Sequence, residues 1–528
     1  MTLARTLAHH CHRRPNHRAV TTPTGTRTYA QLTADVARIA STLRDGHVAR
    51  GSRIAVLARN GLPCVQLVYA ASWSGTQLVC VNWRLGPEES RAVLADSAPV
   101  LVFAEREFAH LIGPRERVIW LDGPGHGPTP FEQWYADGDP HTPPNPNPDQ
   151  DPDQDQDQDP NQDPDQDPES AVLLLYTTGT TGSPKGVPLL ERNLSHTCVQ
   201  ATRRWRMHPD MTFLACLPMF HVSGMSSVVC SVHVGGELVV PSGTSVAELG
   251  TVIEERGVTH TVLVPTILSR LVAENAVAVH DFDSLEVVIY GAAPAGDTLV
   301  EQAMEMLPHT GFSQGYGLTE TCAGVAIEPL RRYGDAAGHP GSVGEVLDNC
   351  ACRVVDPRTG EDVAPGADGE IWLRTPQLTP GYLNKPEETA AAITPDGWFR
   401  TGDIGCLDDE GFLYLKDRLK DMIISGGENI YSVEVENVVA THPAVLEAAV
   451  IGVPDPAWGE TVKAFVVLRR GETLDSATLR AWLEGRIARY KRPRIVEFVD
   501  QLPRTGSGKV MKRALLSGER MDRTALNS

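Results

Sequence analysis

The chain has 528 residues, 41% apolar and 22% charged, and a formal net charge of −20. That length exceeds what one compact core serves, so two or more domains are expected, with the composition of a soluble globular protein. No run of 18 apolar residues occurs, so no transmembrane helix is expected, and the first ten residues lack the apolar segment of a signal peptide.

In chain order, residues 53–58 read as a buried strand, 62–74 carry helical spacing, and 75–82 read as a second strand. Residues 139–169 form a degenerate Asp-Pro/Asp-Gln tract with nothing to bury. Between Asp149 and Glu169 it holds nine Asp and one Glu with no Lys or Arg, so half of the net charge sits there. The tract is expected to be a disordered, solvated insertion within a domain. The rest of the chain is only mildly acidic, which disfavours a nucleic-acid partner. Further short apolar runs follow at 171–176, 261–264 and 285–290, each with Gly or Pro close behind and then a helix-like stretch. Apolar strands alternating with helices predict parallel sheets covered on both faces, with ligands beyond the C-terminal strand ends.

From 352 to 373 short strands alternate with Gly/Pro turns. After Asp417 a smaller α+β unit is expected, with strands at 448–453 and 462–468 and a helix over 476–488. The ten cysteines are scattered, without a C-x-x-C pair, which points to reduced cytoplasmic thiols.

The densest cluster of glycine and hydroxyl residues is TTGTTGSPKGV at 177–187, directly after the apolar run 171–176. Gly179, Gly182 and Gly186 let a backbone approach a ligand, the hydroxyls add donors, and Lys185 adds a mobile cation, so a polyphosphate suits it. The stretch is not the G-x-x-x-x-G-K-[ST] loop. Pro184 stands where the second glycine belongs and Gly186 where the magnesium-binding hydroxyl belongs, so the loop need not open a helix.

Six further segments accompany it in order: LPMFH at 217–221, YGAAPAG at 290–296, QGYGLTET at 314–321, WFRTGD at 398–403, DRLKDMIISGGENI at 417–430 and PRTGSGK at 503–509. Together they resemble the motif set of the adenylate-forming superfamily, which comprises acyl-CoA synthetases, peptide-synthetase adenylation domains and luciferases. The resemblance covers the chain outside the acidic tract. It implies an α/β fold with a large N-terminal domain, residues 1–416, of parallel sheets with helices plus a small β-barrel-like part. A hinge at 417–421, with Lys420 at the pivot, would lead to a small mobile α+β C-terminal domain at 422–528.

The resemblance also assigns roles. Thr177, Thr178, Gly179, Thr180, Thr181 and Lys185 would hold the β- and γ-phosphates of ATP. Thr319 would contact the α-phosphate and Glu320 would hold Mg²⁺, a hard ion that a single carboxylate with phosphates and waters suits. Gly291, Ala292, Ala293, Tyr316 and Gly317 would line the adenine pocket. Asp403 would take the ribose hydroxyls, with Arg418 nearby, and Lys509 would bridge the acyl carboxylate and the α-phosphate. His221 would gate an acyl pocket formed with Gly224, Met225, Val264, Gly315, Leu318 and Cys322. Gly426 and Gly427 would line a tunnel for the pantetheine arm of coenzyme A, and Trp458-Gly459-Glu460 is of the synthetase type. Ser432 departs from the usual proline.

The implied activity is ATP-dependent activation of a medium-chain, branched or aryl acid as an acyl-adenylate, with pyrophosphate release, followed by transfer to coenzyme A. A carrier-protein thiol or nitrite activation for diazotisation are the alternative outlets, and an inactive nucleotide-binding scaffold is the alternative of another class. No basic residue in the pocket set favours a dicarboxylate. A small-molecule acid is the expected partner, with a homodimer as the candidate assembly.

Overall fold

The computed structural model describes all residues except 115, 124–127, 141–166, 179–183, 294, 336–337, 426–427, 457, 505–509 and 518–528. Most of the acidic tract thus lies outside the described residues, as do Gly179, Thr180, Thr181, Gly426, Gly427 and Lys509. The described chain divides into two compact units: Met1–Ala351 with Arg374–Phe399, and Cys352–Leu373 with Arg400–Ser528.

The first unit is built on two sheets. The six-stranded sheet runs in the order Val118–Trp120, Leu101–Ala104, Arg53–Leu57, Gln77–Cys80, Ala171–Thr178, Pro184–Leu190. Its first five strands are parallel, and the last pair is an antiparallel hairpin. The nine-stranded sheet is parallel through its middle, in the order Gly311–Leu318, Val287–Gly291, His260–Leu263, Thr212–Leu214, Glu237–Val239, Arg18–Thr22. Antiparallel strands close both of its edges. The central strands are buried along their length, Val287–Gly291 on both faces, which is why they read as continuous apolar runs. The helix Leu62–Ser74 ends at Gly75, whose φ of 69° supplies the left-handed C-cap.

The second unit holds a four-stranded sheet, Ala351–Val355, Gly369–Arg374, Phe399–Leu407 and Leu413–Arg418, and a five-stranded sheet around the long hairpin Val445–Asp455/Gly459–Leu468. The helices Ser432–Ala440 and Ser476–Trp482 cover the latter through Val435, Val439 and Leu479, all fully buried. The helix expected over 476–488 is shorter than the periodicity suggested. It stops at Trp482, and Gly485, at φ 74°, turns the chain away. Among the described residues no helix is long and apolar enough to cross a membrane.

Candidate active site

The described ends of the Thr/Gly-rich stretch belong to the antiparallel pair Ala171–Thr178/Pro184–Leu190, where Thr177 pairs with Lys185 and Thr178 with Pro184. Pro184 removes a donor at the mouth of the hairpin, and the chain enters a strand rather than a helix, as the mismatch to the helix-opening loop implies. The register fixes Lys185 opposite Thr177, next to the last described pair of the hairpin. Its Nζ lies 4.7 Å from the centroid of the Tyr382 ring. The Tyr382 hydroxyl in turn donates to Glu320 Oε1 at 3.0 Å.

Tyr382 therefore joins the lysine of the hairpin to the carboxylate of the QGYGLTET segment. The backbone repeats the link. Leu383 N donates to Gly186 O at 2.8 Å, Thr379 N donates to Glu320 O at 2.8 Å, and Thr379 Oγ1 donates to Pro188 O at 2.7 Å. Burial raises the Tyr382 phenol above its ordinary range, and the neighbouring Glu320 carboxylate adds to the shift, so the phenol stays a donor. Glu320 is 9% exposed, one of its oxygens engaged by Tyr382. This half-sheltered carboxylate fits a hydrated Mg²⁺ that takes its other ligands from phosphates and water.

Thr319 and Glu320 lie in a tight turn between the antiparallel strands Gly311–Leu318 and Ala323–Ile327. The turn is held from several sides. Leu318 N donates to Thr321 Oγ1, Thr197 Oγ1 to Cys322 O, and Gln377 Nε2 to both Thr321 O and Gly324 O. Cys322 and Ala323 take φ values of 53° and 88°, left-handed conformations that a non-glycine residue adopts only when its surroundings enforce them. A Cβ on Gly317 would stand 1.7 Å from Ala323 O, so the strand pair closes only around glycine.

Tyr316, 8% exposed, shares its strand with Gly315, which pairs with Gly291 on the neighbouring parallel strand. Ala292 follows at φ 62°. The expected adenine-lining residues Gly291, Ala292, Ala293, Tyr316 and Gly317 thus gather where two adjacent strands end, the usual place for a ligand on such a sheet.

His221 is the N-cap of the helix Val222–His233, its ring 4.5 Å from that of Phe220. The LPMFH backbone is clamped by Asn60, which donates to Leu217 O at 2.7 Å and accepts from Met219 N at 2.8 Å. Gly224 packs the helix against this segment, since a Cβ there would meet Pro218 O at 2.1 Å. Val264 is the N-cap of the helix Pro265–Ala273, and Leu318 ends the strand beside the turn. Met225 and Cys322, expected at the acyl pocket, are 1% and 0% exposed and belong to the core. A void of about 10 Å³, room for one water, lies beside them, lined by residues that include Thr197, Gln200, Trp205, Ser226 and Ala323.

In the second unit, Asp403 and Arg418 face each other on the antiparallel strands Phe399–Leu407 and Leu413–Arg418. Arg418 Nε lies 2.6 Å from Asp403 Oδ1, and Asp403 is 4% exposed. Asp417, 8% exposed, accepts from the backbone N and the Oγ of Ser432, the latter at 2.7 Å. Lys512 reaches the same hydroxyl and pairs with Glu436 at 2.8 Å. Lys420 is exposed in the turn after Arg418. Trp458 is 45% exposed and stacked by Arg494 at 4.6 Å, while Glu460 Oε2 accepts from Ile424 N at 2.8 Å.

Sequence reasoning passed over Tyr382, which ties the hairpin to the turn, and Gln377, which ties the turn to the helix Glu191–Arg204. The only local signal was an aromatic after a glycine, Gly381-Tyr382. Among the described residues, His208, His260 and Glu286 also gather side chains of metal-ligand type. Both His260 nitrogens are already engaged, by Thr259 Oγ1 at 2.8 Å and Trp205 O at 3.1 Å, so the group buttresses Trp205.

The family model for AMP-binding enzymes matches residues 7–383, and that for the AMP-binding enzyme C-terminal domain matches 434–509. An indoleacetate–CoA ligase of Aromatoleum aromaticum is 36% identical over 521 residues, 97% of each chain. A fatty acid–[acyl-carrier-protein] ligase, ScoC, of Streptomyces coeruleorubidus is 33% identical, covering 97% of this chain and 96% of its own. Among solved structures, the o-succinylbenzoate coenzyme A synthetase of Bacillus subtilis, in complex with ATP and magnesium ion, superimposes with a TM-score of 0.81. It is 29% identical and covers 97% of this chain and 99% of its own.

Proposed function

This chain belongs to the AMP-binding enzyme family, and on that premise we propose that it activates a medium-chain, branched or aryl carboxylic acid as its acyl-adenylate. The acyl group then passes to the thiol of coenzyme A. The protein is an AMP-forming acid–thiol ligase that uses ATP, Mg²⁺ and coenzyme A.

The observation that carries this reading is the Lys185–Tyr382–Glu320 chain, which sets a mobile cation and a metal-binding carboxylate on one rigid link. In the first half-reaction an acid oxygen attacks the α-phosphorus, and the bond to pyrophosphate breaks. The two reactants are both anionic, so the barrier is lowered by positioning and by fixed positive charge. Lys185 neutralises the departing pyrophosphate, Thr319 donates to the α-phosphate, and Lys509 bridges the two anions. Glu320 would hold Mg²⁺, which would supply further positive charge at the phosphates. Asp403 takes the ribose hydroxyls and Tyr316 stacks on the adenine. In the second half-reaction a thiolate sulfur attacks the acyl carbon and AMP leaves, with the segment around Gly426, Gly427 and Trp458 admitting the pantetheine arm. The chain turns between the two steps at 417–421.

The likeness to ScoC favours one second reading, in which a carrier-protein thiol takes the acyl group. ATP–pyrophosphate exchange across a panel of acids tests the adenylation step. Exchange that depends on acid and on Mg²⁺ supports it, and ATP binding without exchange for any acid contradicts it. Coenzyme A or carrier protein added to the active acid then identifies the acceptor.

A further inference from the structure

Asp96 is the second-last residue of the helix Pro87–Ser97. A carboxylate in that place faces the negative end of the helix dipole, so the helix itself gains nothing from it. Its partners lie elsewhere in the first unit. Asp96 Oδ2 accepts from the Tyr176 hydroxyl at 2.7 Å, and Asp96 Oδ1 accepts from Asn384 Nδ2 at 3.3 Å. The same amide donates to Asp96 O at 3.1 Å. Tyr176 and Asn384 stand 80 and 288 residues from Asp96 in sequence.

These two partners belong to the two arms that bring Lys185 and Tyr382 together. Tyr176 pairs with Gly186 in the hairpin, beside the pair Thr177–Lys185. The packing there is tight: a Cβ on Gly186 would meet the Tyr176 ring at 3.0 Å and Leu383 Cβ at 3.2 Å. Tyr176 and Leu383 also pack against the apolar cluster that contains Val93 and Leu94 of the same helix. Asn384 follows Tyr382 by two residues and holds a left-handed φ of 54°, which asparagine tolerates better than most residues. Burial raises the Tyr176 phenol above its ordinary range and the bond to Asp96 adds to the shift, so the phenol stays a donor.

We propose that Asp96 is a positioning residue for the adenylation step: through Tyr176 and Asn384 it fixes the two arms whose approach sets Lys185 over the Tyr382 ring, and so aims the lysine at the pyrophosphate. This rests on the ligase reading given above. Holding a long lysine side chain in one place costs rotamer freedom, and two fixed arms meet part of that cost before the phosphates arrive. Asp96 acts through the arms alone, so its effect vanishes once the lysine is gone.

The test follows ATP–pyrophosphate exchange on the full-length protein, with the fastest acid of the panel and pyrophosphate varied. Asp96→Ala unties both arms, and Tyr176→Phe keeps the ring and unties one. Asn384→Gly unties the other and keeps the left-handed turn. Each is expected to raise the KM for pyrophosphate, by about tenfold for Asp96→Ala, with kcat within about twofold of wild type. Asn384→Gly is expected to melt at the wild-type temperature, which separates positioning from a loss of fold. In a Lys185→Ala background, adding Asp96→Ala is expected to raise KM no further. Tyr176→Phe and Asn384→Gly decide the matter if Asp96→Ala does not fold. A wild-type KM in the single variants overturns the inference, as does a KM that rises only in variants that melt lower. So does a further rise of about tenfold in the Lys185→Ala background. A Lys185→Ala protein with the wild-type KM removes the lysine from pyrophosphate binding and overturns the inference with it. A wild type that exchanges with no acid of any class overturns the ligase reading itself, and this inference with it.

Discussion

The Tyr382 hydroxyl donates to Glu320 Oε1 at 3.0 Å, and the same ring lies 4.7 Å from Lys185 Nζ. One side chain thus positions a carboxylate through its hydroxyl and a cation through its π-face. Tyr382→Phe keeps the ring and loses the hydroxyl, and a hydrogen bond to a charged group contributes about 1.5–3 kcal/mol. Adenylation at limiting Mg²⁺ is expected to fall about tenfold, with recovery at high Mg²⁺. Tyr382→Ala also loses the cation–π contact and falls further, without recovery. Equal Mg²⁺ titrations for wild type and Tyr382→Phe would remove the hydroxyl from this role.

Asp403 is almost fully buried and paired with Arg418 at 2.6 Å, whereas the Arg418 side chain is 43% exposed. Removing the arginine leaves a buried carboxylate short of one partner. Arg418→Met is therefore expected to destabilise the second unit by about 1–3 kcal/mol, the exposed half of the pair limiting the loss. Asp403→Ala is expected to lose the ATP-induced rise in Tm that the wild type shows. Thermal melts with and without ATP separate the two effects.

Ser432 occupies the first helical position of Ser432–Ala440, a place where proline is well tolerated. Introducing the family's proline would gain about 0.4–1 kcal/mol of unfolded-state entropy. It would also delete the two Ser432 donors to the buried Asp417 carboxylate, which keeps the Arg418 N–H, at about 1.5–3 kcal/mol for a charged partner. The second effect wins, so Ser432→Pro is expected to lower the denaturant midpoint of the second unit, and Ser432→Ala to lower it less. A more stable proline variant would contradict this account of the departure.

Burial depresses the pKa of His10 from 6.5 to about 4, and burial lowers His17, His196 and His260 as well. Each is neutral in the fold and takes up a proton more readily when unfolded. Stability is therefore full above pH 6.5 and falls as the pH drops toward 4. For His10 alone the loss is at most about 3 kcal/mol. Urea midpoints at pH 7.5, 6 and 5 should decrease in that order, and His10→Gln should flatten the trend.

The parallel sheets were legible because stretches such as 54–58 and 287–290 are apolar throughout, and the glycine-rich segments marked the turns between them. The site was legible where chemistry and spacing coincide in one segment, as in Thr319-Glu320 or Thr401-Gly402-Asp403. Tyr382 and Gln377 escaped because they act through tertiary contacts with segments some 60 and 180 residues away.

Lys509→Ala tests the central claim most directly when both half-reactions are timed on the same protein. The account predicts that adenylate formation from acid and ATP falls by about 10²–10³, while thioester formation from supplied acyl-adenylate and coenzyme A stays within a few-fold of wild type. A comparable loss of both half-reactions would contradict the assignment of Lys509 to the first step and the two-step account built on it.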